Sequence, residues 1–311
     1  MNIPLELFKP NYRRSEVYGI GADPDWQRLD PSNVVKVNDL YYVWYTKAPA
    51  HENLYQGTIY YAVSRDGYCW TEQGEALSRG EPGAWDNFGV ITPYMAIVDG
   101  RYYLFYTASH ELASEKWTVR GPNNIRQIGV TQSDSPKGPF RRVFNRPVLS
   151  PGKAGAWDSY LVDDTHVLYF NRKYYLYFKG GDPKVTSDTT RWGVAVSDNI
   201  LGPYVKYENN PFIDSGHTVC VWRHGKGIAA LVDNAGPQKH TVQYSEDGIH
   251  FVKTADIEPL VDVGCGPFDM DAHNGCVLGR GISWGLACAP SDGILHIVRF
   301  DVDCMANGDV M

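Results

Sequence analysis

The chain has 311 residues, of which 43% are hydrophobic and 21% charged, a composition that can bury a core and excludes a disordered chain. The net charge is −7 and no run of Lys and Arg exceeds a pair, so we expect neither a nucleic-acid partner nor an anionic membrane partner. No apolar run approaches the ~20 residues that a membrane-spanning helix needs. The N-terminal residues lack the basic and apolar segments of a signal peptide, which predicts a cytoplasmic protein, or a periplasmic one if a leader has been removed.

Aromatic residues, glycine and proline are frequent, which is typical of short strands joined by tight turns. Along the chain, a strand rich in aromatic residues recurs at residues 40–46, 101–107 and 173–179, with a weaker copy at 227–233. Each copy is followed by a strand that ends in a turn, at residues 60–67, 128–134, 192–198 and 242–248. A third strand then begins near an aromatic residue, and residues 281–288 and 295–301 supply strands for a fifth unit.

The repeat has a measurable period. Tyr41, Tyr102, Tyr174 and Ile228 hold the same place in successive copies, 61, 72 and 54 residues apart. The sequence Gly-Ala-Trp-Asp at residues 83–86 returns 72 residues later. This pattern predicts an all-β fold, a five-bladed β-propeller with four-stranded antiparallel blades around a central channel. Residues 1–311 are predicted to form a single domain with a short N-terminal arm (1–25), and residues 110–124 to form a loop.

Four polar residues precede the innermost strand of their units at a shared offset. Asp30, Thr92, Asp164 and His217 lie 11, 10, 10 and 11 residues before the repeated position of the aromatic strand. Taken singly, each of these residues is as typical of a turn or a solvated loop as of a site. Unrelated turn residues do not share an offset, however, and in a propeller such positions meet at the channel. Ionisable groups that face one another have shifted pKa values and are typical of acid–base chemistry.

Five stretches carry a family resemblance: residues 28–37, 41–47, 63–74, 192–206 and 210–220. Over about residues 14–301 the sequence resembles glycoside hydrolase family 117, the α-1,3-(3,6-anhydro)-L-galactosidases or neoagarobiose hydrolases. More distantly it is similar to other five-bladed propeller glycosidases, such as family 43. The resemblance implies an inverting, exo-acting α-glycosidase with an oligosaccharide substrate, a short galactan of the red-algal, anhydrogalactose-containing type.

The resemblance also implies roles for the catalytic residues. Asp30 is the general base that activates water, Asp164 orients the sugar and supports the protonation of the acid, and His217 is the general acid. An inverting enzyme needs its acid and base ~6.5–9.5 Å apart, a gap that residues of different blades can span. A histidine can serve as the acid if nearby carboxylates raise its pKa.

Further residues near the channel are predicted to bind the sugar: Thr92, Tyr94, Trp85, Asp163, His166, Trp192 and Thr218. Trp157, in the second Gly-Ala-Trp-Asp sequence, is a further candidate for stacking on a sugar, although both repeated tryptophans suit packing within the fold equally well. Thr218 stands where the family has a glutamate, which marks the chain as a divergent member. The family's N-terminal helical segment, used for dimerisation, is missing, so the family's dimer is not expected.

Two other functions fit the same residues. A family 43-like arabinofuranosidase or xylosidase is one, although the absence of a glutamate acid at position 218 counts against it. A carbohydrate-binding propeller that has lost catalysis is the other, although the presence of Asp30, Asp164 and His217 argues against it. We expect no required cofactor. The resemblance implies that a structural divalent cation can lie in the central channel, but no ligand spacing in the sequence indicates which residues hold it.

Overall fold

Strands form nearly all of the regular structure in the computed structural model, which describes residues 12–50, 52–109, 125–233, 235–257, 263–273 and 278–306. The described helices are two 3-10 turns, Leu54–Gln56 and Ser187–Thr189. Among the described residues no helix has the length and apolar character to cross a membrane. The predicted all-β class is confirmed, whereas the predicted loop at 110–124 and arm residues 1–11 lie outside the described residues.

The strands group into consecutive antiparallel units, each defined here by its pairing. Strand β1 (Arg13–Glu16) comes first and pairs with the last strand of the chain. Unit 1 contains β2 (Trp26–Leu29), β3 (Val35–Val37), β4 (Leu40–Pro49), β5 (Thr58–Ser64) and β6 (Trp70–Leu77). Unit 2 contains β7 (Gly89–Val98), β8 (Arg101–Ser109), β9 (Arg126–Ser133) and β10 (Arg141–Arg142).

The remaining strands repeat this arrangement. Unit 3 contains β11 (Leu161–Phe170), β12 (Lys173–Gly181), β13 (Arg191–Ser197) and β14 (Val205–Lys206). Unit 4 contains β15 (Val219–Gly225), β16 (Gly227–Val232), β17 (Thr241–Ser245) and β18 (Val252–Asp256). Unit 5 contains β19 (Val263–Pro267), β20 (Gly279–Ser291) and β21 (Ile294–Met305), and β1 is added at its edge.

The strand register follows the sequence repeat. The four residues that mark the repeat each pair with a serine of the next strand: Tyr41 with Ser64, Tyr102 with Ser133, Tyr174 with Ser197, and Ile228 with Ser245. Residues of equal place in the sequence therefore occupy equal places in their sheets. This equivalence is what allows an offset counted along the chain to predict a position in space.

The hydrophobic cores lie between neighbouring units. In β4, Tyr42 and Trp44 pack with unit 2, whereas Val43 and Tyr45 pack with unit 5. Successive strand residues point to opposite faces, so both faces of β4 are buried and its sequence is apolar throughout. One cluster joins units 2, 3 and 4, and another joins units 4 and 5. Each unit is thus stabilised by contacts with the units beside it.

Candidate active site

The predicted channel residues share an unusual backbone conformation. Asp30, Thr92 and Asp164 have φ angles of 49°, 47° and 45°, in the left-handed region that non-glycine residues rarely adopt. Asp30 lies between β2 and β3, and Thr92 and Asp164 lie at register shifts in β7 and β11. In unit 4, His217 directly follows Gly216, whose φ is 92°. The inner strand is therefore interrupted at the same place in four units.

At each interruption the backbone N–H leaves the sheet ladder and donates to a side chain. The acceptors are Cys288 Sγ for Asp30 (3.0 Å), Thr46 Oγ1 for Thr92 (2.9 Å), Asp163 Oδ1 for Asp164 (2.9 Å) and Asp233 Oδ1 for His217 (3.0 Å). Because an unpaired buried N–H is costly, these acceptors stabilise the interruption of the inner strand in each unit, including the left-handed conformation of Asp30, Thr92 and Asp164. The shared offset in the sequence thus corresponds to a shared local structure.

A buried charge cluster lies among these residues. Arg126 Nη1 donates to Asp163 Oδ2 at 2.5 Å, and Lys179 Nζ lies 3.6 Å from the same oxygen. Lys179 also donates to Asp164 Oδ2, and Thr92 Oγ1 donates to Asp163 Oδ1 at 3.4 Å. The side chains of Asp163 and Lys179 are 1% and 5% exposed. Buried charges are stable only when paired, so each member of this cluster depends on the others.

The three aspartates differ in their affinity for protons. Burial alone would raise the pKa of Asp163, but the positive charges of Lys179 and Arg126 outweigh it and hold that pKa well below its usual range. Burial raises the pKa of Asp164 against the opposing charge of Lys179, and the neighbouring Asp163 raises it further. Burial and then the charge of Asp164 raise the pKa of Asp30. Asp30 and Asp164 therefore act on each other electrostatically, although they lie in different units.

His217 has an electrostatic environment opposite to the one expected from the sequence. The positive charge of Lys179, followed by burial, lowers the pKa of His217 to about 3, and Arg126 acts in the same direction while Asp163 opposes it. In the free protein the carboxylates do not raise this pKa above its usual value, because the two cations Lys179 and Arg126 lie among them. The role of His217 as general acid stays a prediction.

A cavity of about 80 Å³ opens beside the cluster. Its lining includes the cationic and hydroxyl-bearing residues Arg126, Lys179, His217, Tyr160, Thr186 and Thr190. Arg126 also lies over the ring of Tyr55, with 4.2 Å from its Cζ atom to the ring centroid. Hydroxyl groups, guanidinium and carboxylate are the groups that hydrogen-bond sugar hydroxyls. The cavity thus adjoins the side chains that would do acid–base chemistry.

A larger cavity of about 310 Å³ lies at the opposite ends of the inner strands. Asp99, Tyr169, Arg223, Asp269 and His273 are among its lining residues, and none of the four channel residues is. We assign the candidate active site to the smaller cavity because His217, Arg126 and Lys179 line it, and the two cations pair with Asp163 and Asp164.

Several residues predicted to bind sugar are packing residues instead. Trp192 is fully buried, and its Nε1 donates to the carbonyl of Gly216 at 3.1 Å, so neither face of its ring is open to a ligand. His166 and Tyr94 are also buried, with their ring centroids 5.0 Å apart, and the burial of His166 lowers its pKa to about 3. The register shift between Asp163 and His166 breaks the two-residue alternation that would otherwise place the His166 side chain on the same side as that of Asp164.

The two repeated tryptophans have equivalent environments. Trp85 stacks on Tyr106 and Trp157 stacks on Phe178, with centroid distances of 5.9 and 5.7 Å. A Cβ atom added at Gly129 would lie 2.8 Å from the Trp85 ring, so a strand glycine makes room for the indole. Both tryptophans therefore pack within the fold in this structure.

The described residues do not suit a divalent cation in the channel. No group of three His, Cys, Asp or Glu side chains converges anywhere in the described ranges, and His166 is enclosed by the rings of Tyr94 and Trp192. The carboxylates of the site are instead paired with Lys179 and Arg126. We therefore derive no step that uses a metal ion.

Sequence reasoning missed Arg126, Lys179, Asp233 and Cys288. A signal for three of them is present, because the repeated strand ends in a polar residue in each copy: Thr46, Thr107, Lys179, Asp233 and Cys288. In the structure, four of these residues hydrogen-bond to a channel residue. Cys288, Thr46 and Asp233 accept the backbone N–H of Asp30, Thr92 and His217, and Lys179 donates to the side chain of Asp164. Arg126 is outside this pattern, because it reaches Asp163 through a contact between β9 and β11.

Comparisons with known proteins agree with this architecture. The model of the glycosyl hydrolases family 43 matches residues 26–188, which is more than half of the chain. The chain belongs to the glycosyl hydrolases family 43. This family 43 chain is therefore a glycoside hydrolase. A search of curated proteins found no match.

Solved structures extend the similarity to nearly the whole chain. Zg3597, a family 117 glycoside hydrolase from the marine bacterium Zobellia galactanivorans, is 29% identical with a TM-score of 0.82, over 96% of this chain and 91% of that chain. The resemblance to family 117 is thereby confirmed. An endo-arabinase from Bacteroides thetaiotaomicron is 16% identical with a TM-score of 0.58, over 92% of this chain and 97% of that one. A sucrose-6-phosphate hydrolase from Lactobacillus gasseri is 13% identical with a TM-score of 0.64, over 92% of this chain and 62% of that chain. The last two comparisons establish a shared fold only.

Proposed function

We propose that this chain is an inverting, exo-acting α-glycosidase that cleaves short galactan-type oligosaccharides containing anhydrogalactose. Its strands would form a five-bladed β-propeller, a proposal supported by the cores that join each unit to the next and unit 5 to unit 1. The similarity to a family 117 enzyme over 96% of the chain supports the substrate class.

One observation supports this function most strongly. Asp30 and Asp164 interrupt the inner strands of two different units with the same left-handed backbone, and the charge of Asp164 raises the pKa of Asp30. Glycoside hydrolysis in an inverting enzyme uses two groups on opposite faces of the sugar, one to deprotonate water and one to protonate the leaving oxygen. In this proposal Asp30 is the group that deprotonates water, Asp164 supplies a negative charge beside it, and His217 is the group that protonates the leaving oxygen.

In the proposed reaction, water attacks the anomeric carbon as Asp30 takes one of its protons, and the glycosidic C–O bond breaks. The raised pKa of Asp30 makes its carboxylate a stronger base. The negative charge of Asp164 stabilises the positive charge that develops on the sugar ring. His217, which lies in the cavity wall, is neutral in the free protein because its pKa is lowered to about 3, so substrate binding must raise that pKa before His217 delivers a proton to the leaving oxygen.

The test is product analysis by NMR, with resolved anomers, on a panel of red-algal oligosaccharides. Release of a terminal sugar whose anomeric configuration is inverted supports the proposal, and release with retained configuration contradicts it. Asp30→Asn should lower kcat by about 10²–10⁴-fold, the usual contribution of a general base. For His217→Ala, the loss should be smaller on an aryl glycoside whose leaving group needs no proton, and an equal loss on both substrates would reject His217 as the acid.

The family 43 match supports a second candidate, an arabinofuranosidase or xylosidase. Release of a pentose from an arabinan or xylan oligosaccharide in the same panel would favour it. Binding of an oligosaccharide without release of any sugar would instead favour a carbohydrate-binding propeller, which is consistent with Thr218 in place of a glutamate.

A further inference from the structure

Asp233, whose carboxylate is buried, directly follows β16 and lies next to the candidate site. It is 4% exposed, and it occupies the final position of the repeated strand in unit 4, where Lys179 stands in unit 3. Lys179 contacts Asp164, the channel residue of its own unit. Equivalence in the repeat therefore places Asp233 beside His217, and the hydrogen bonds show this contact directly.

Asp233 binds the backbone of two consecutive residues of the site. Its Oδ1 accepts the N–H of His217 at 3.0 Å, and its Oδ2 accepts the N–H of Thr218 at 2.9 Å. A longer bond of 3.4 Å links Oδ1 to the N–H of Ala235, and the backbone N–H of Asp233 donates to the carbonyl of Thr218 at 3.2 Å. Both carboxylate oxygens are thus acceptors, which an amide or a protonated carboxyl group cannot reproduce.

We propose that Asp233 is a positioning residue that holds His217 and Thr218 in place through its ionised carboxylate, so that protonation of Asp233 loosens this part of the site. The effect on catalysis rests on the function proposed above, whereas the effect on the backbone does not.

The environment of Asp233 places this change near neutral pH. Burial raises its pKa to about 7, against the opposing effects of the N–H groups of Thr218, Ala235 and His217 and of the positive charge of Lys179 on β12. His217, whose backbone N–H donates to the Asp233 carboxylate, stays neutral over this range because its pKa is lowered to about 3. The raised pKa means that the carboxylate form predominates above about pH 7 and is lost as the pH falls through that value.

The direct test is a pH titration of the backbone amides by ¹H–¹⁵N NMR, which needs no substrate. In the wild type, the amides of His217 and Thr218 should titrate together with an inflection near pH 7. In Asp233→Asn both inflections should disappear. Amides that do not titrate between pH 5 and 9 in the wild type would overturn the proposal, even if the variant fails to fold.

A matched control exists in the same unit. The carboxylate of Asp247 accepts the N–H groups of two consecutive residues, Ile249 and His250, both at 2.8 Å, in the turn between β17 and β18. Asp247→Asn makes the same chemical change at a carboxylate that also accepts two backbone N–H groups, but that is half-exposed and lies at the other end of the strands. It should leave the His217 and Thr218 amides unchanged.

The kinetic test uses whichever oligosaccharide the panel identifies. Asp233→Asn should lower kcat by roughly 10–100-fold, since displacement of site groups by about 1 Å costs up to 10²-fold, with KM changed less than threefold. The fall in kcat between pH 8 and 6 that is due to Asp233 should vanish, whereas any due to Asp30 and Asp164 should remain. Equal pH profiles for the wild type and Asp233→Asn would refute the catalytic role. If the wild type cleaves nothing, the proposed function fails, and the amide titration still decides the role of Asp233.

Discussion

Replacing Lys179 with methionine tests the charge cluster most directly. Methionine keeps much of the length of the side chain and removes its charge. Lys179 is 5% exposed, and its removal leaves two aspartates, with side chains 1% and 11% exposed, to share Arg126. We expect a strongly destabilised protein at neutral pH, because an uncompensated buried charge has lost its solvation and its partner.

The size of the effect follows from the burial. Removing one partner of a buried ion pair costs about 3–5 kcal/mol. Unfolding entropy of about 2.1 cal/mol/K per residue, over 311 residues, gives about 0.65 kcal/mol/K for the chain. The melting temperature of Lys179→Met should therefore fall by about 5–8 °C at pH 8.

The loss should depend on pH in a defined direction. In the wild type the pKa of Asp163 is depressed, so the stability that its ionised form contributes is present above its unfolded pKa and is lost as the pH falls through the folded value. Without Lys179, the pKa values of Asp163 and Asp164 rise, and the carboxyl groups take up protons as the pH falls. The difference in melting temperature between the variant and the wild type should therefore become smaller from pH 8 to pH 4.

Calorimetric unfolding at pH 8, 6 and 4 measures these differences. Lys173→Met is the matched control, because Lys173 lies on the same strand and pairs with Asp198 in solvent, 51% and 85% exposed. Exposed pairs contribute about 0–1 kcal/mol, so its melting temperature should change by less than about 2 °C. Equal losses in the two variants, or a Lys179→Met difference that does not change with pH, would refute this account of the cluster.

Three further outcomes are expected. Asp30→Asn should keep or slightly raise the melting temperature at pH 8, because the raised pKa of Asp30 shows that its ionised form is disfavoured in the folded protein; a large drop would identify Asp30 as a structural turn residue. The ring carbons of His217 should not show the large shift of imidazolium formation between pH 5 and 8, because its pKa is lowered to about 3; a full protonation shift in that range would show that Lys179 does not control this pKa. Trp157→Ala should lower the free energy of unfolding by about 3–5 kcal/mol, because Trp157 stacks on Phe178, and should leave the KM of the folded enzyme unchanged. A raised KM with unchanged stability would show that Trp157 binds the sugar.

The sequence repeat predicted much of the fold because its signal is local. The continuous run of apolar and aromatic residues at 40–46 reflects a strand that is buried on both faces, and this pattern recurs in each copy. Equal offsets then predicted Asp30, Thr92 and Asp164, and the shared left-handed backbone of the three residues gives this offset a structural cause.

The electrostatics of the site were not predictable in the same way. Arg126 and Asp163 are 37 residues apart in the chain and meet only because β9 and β11 come together. The direction of the pKa shift of His217 depends on Lys179, which was interpreted only as the end of a strand. A motif indicates which residue types are present, but the sign of a pKa shift depends on all charges nearby, including those from other units.

The bond between the Asp30 N–H and Cys288 Sγ joins residues that are 258 positions apart. During synthesis, Asp30 leaves the ribosome long before its acceptor has been translated. A nascent chain, or a fragment that ends before residue 288, lacks the contact that holds the backbone of Asp30 in place. Chemistry at this centre is therefore delayed until translation is almost finished, and truncated products are expected to be inert.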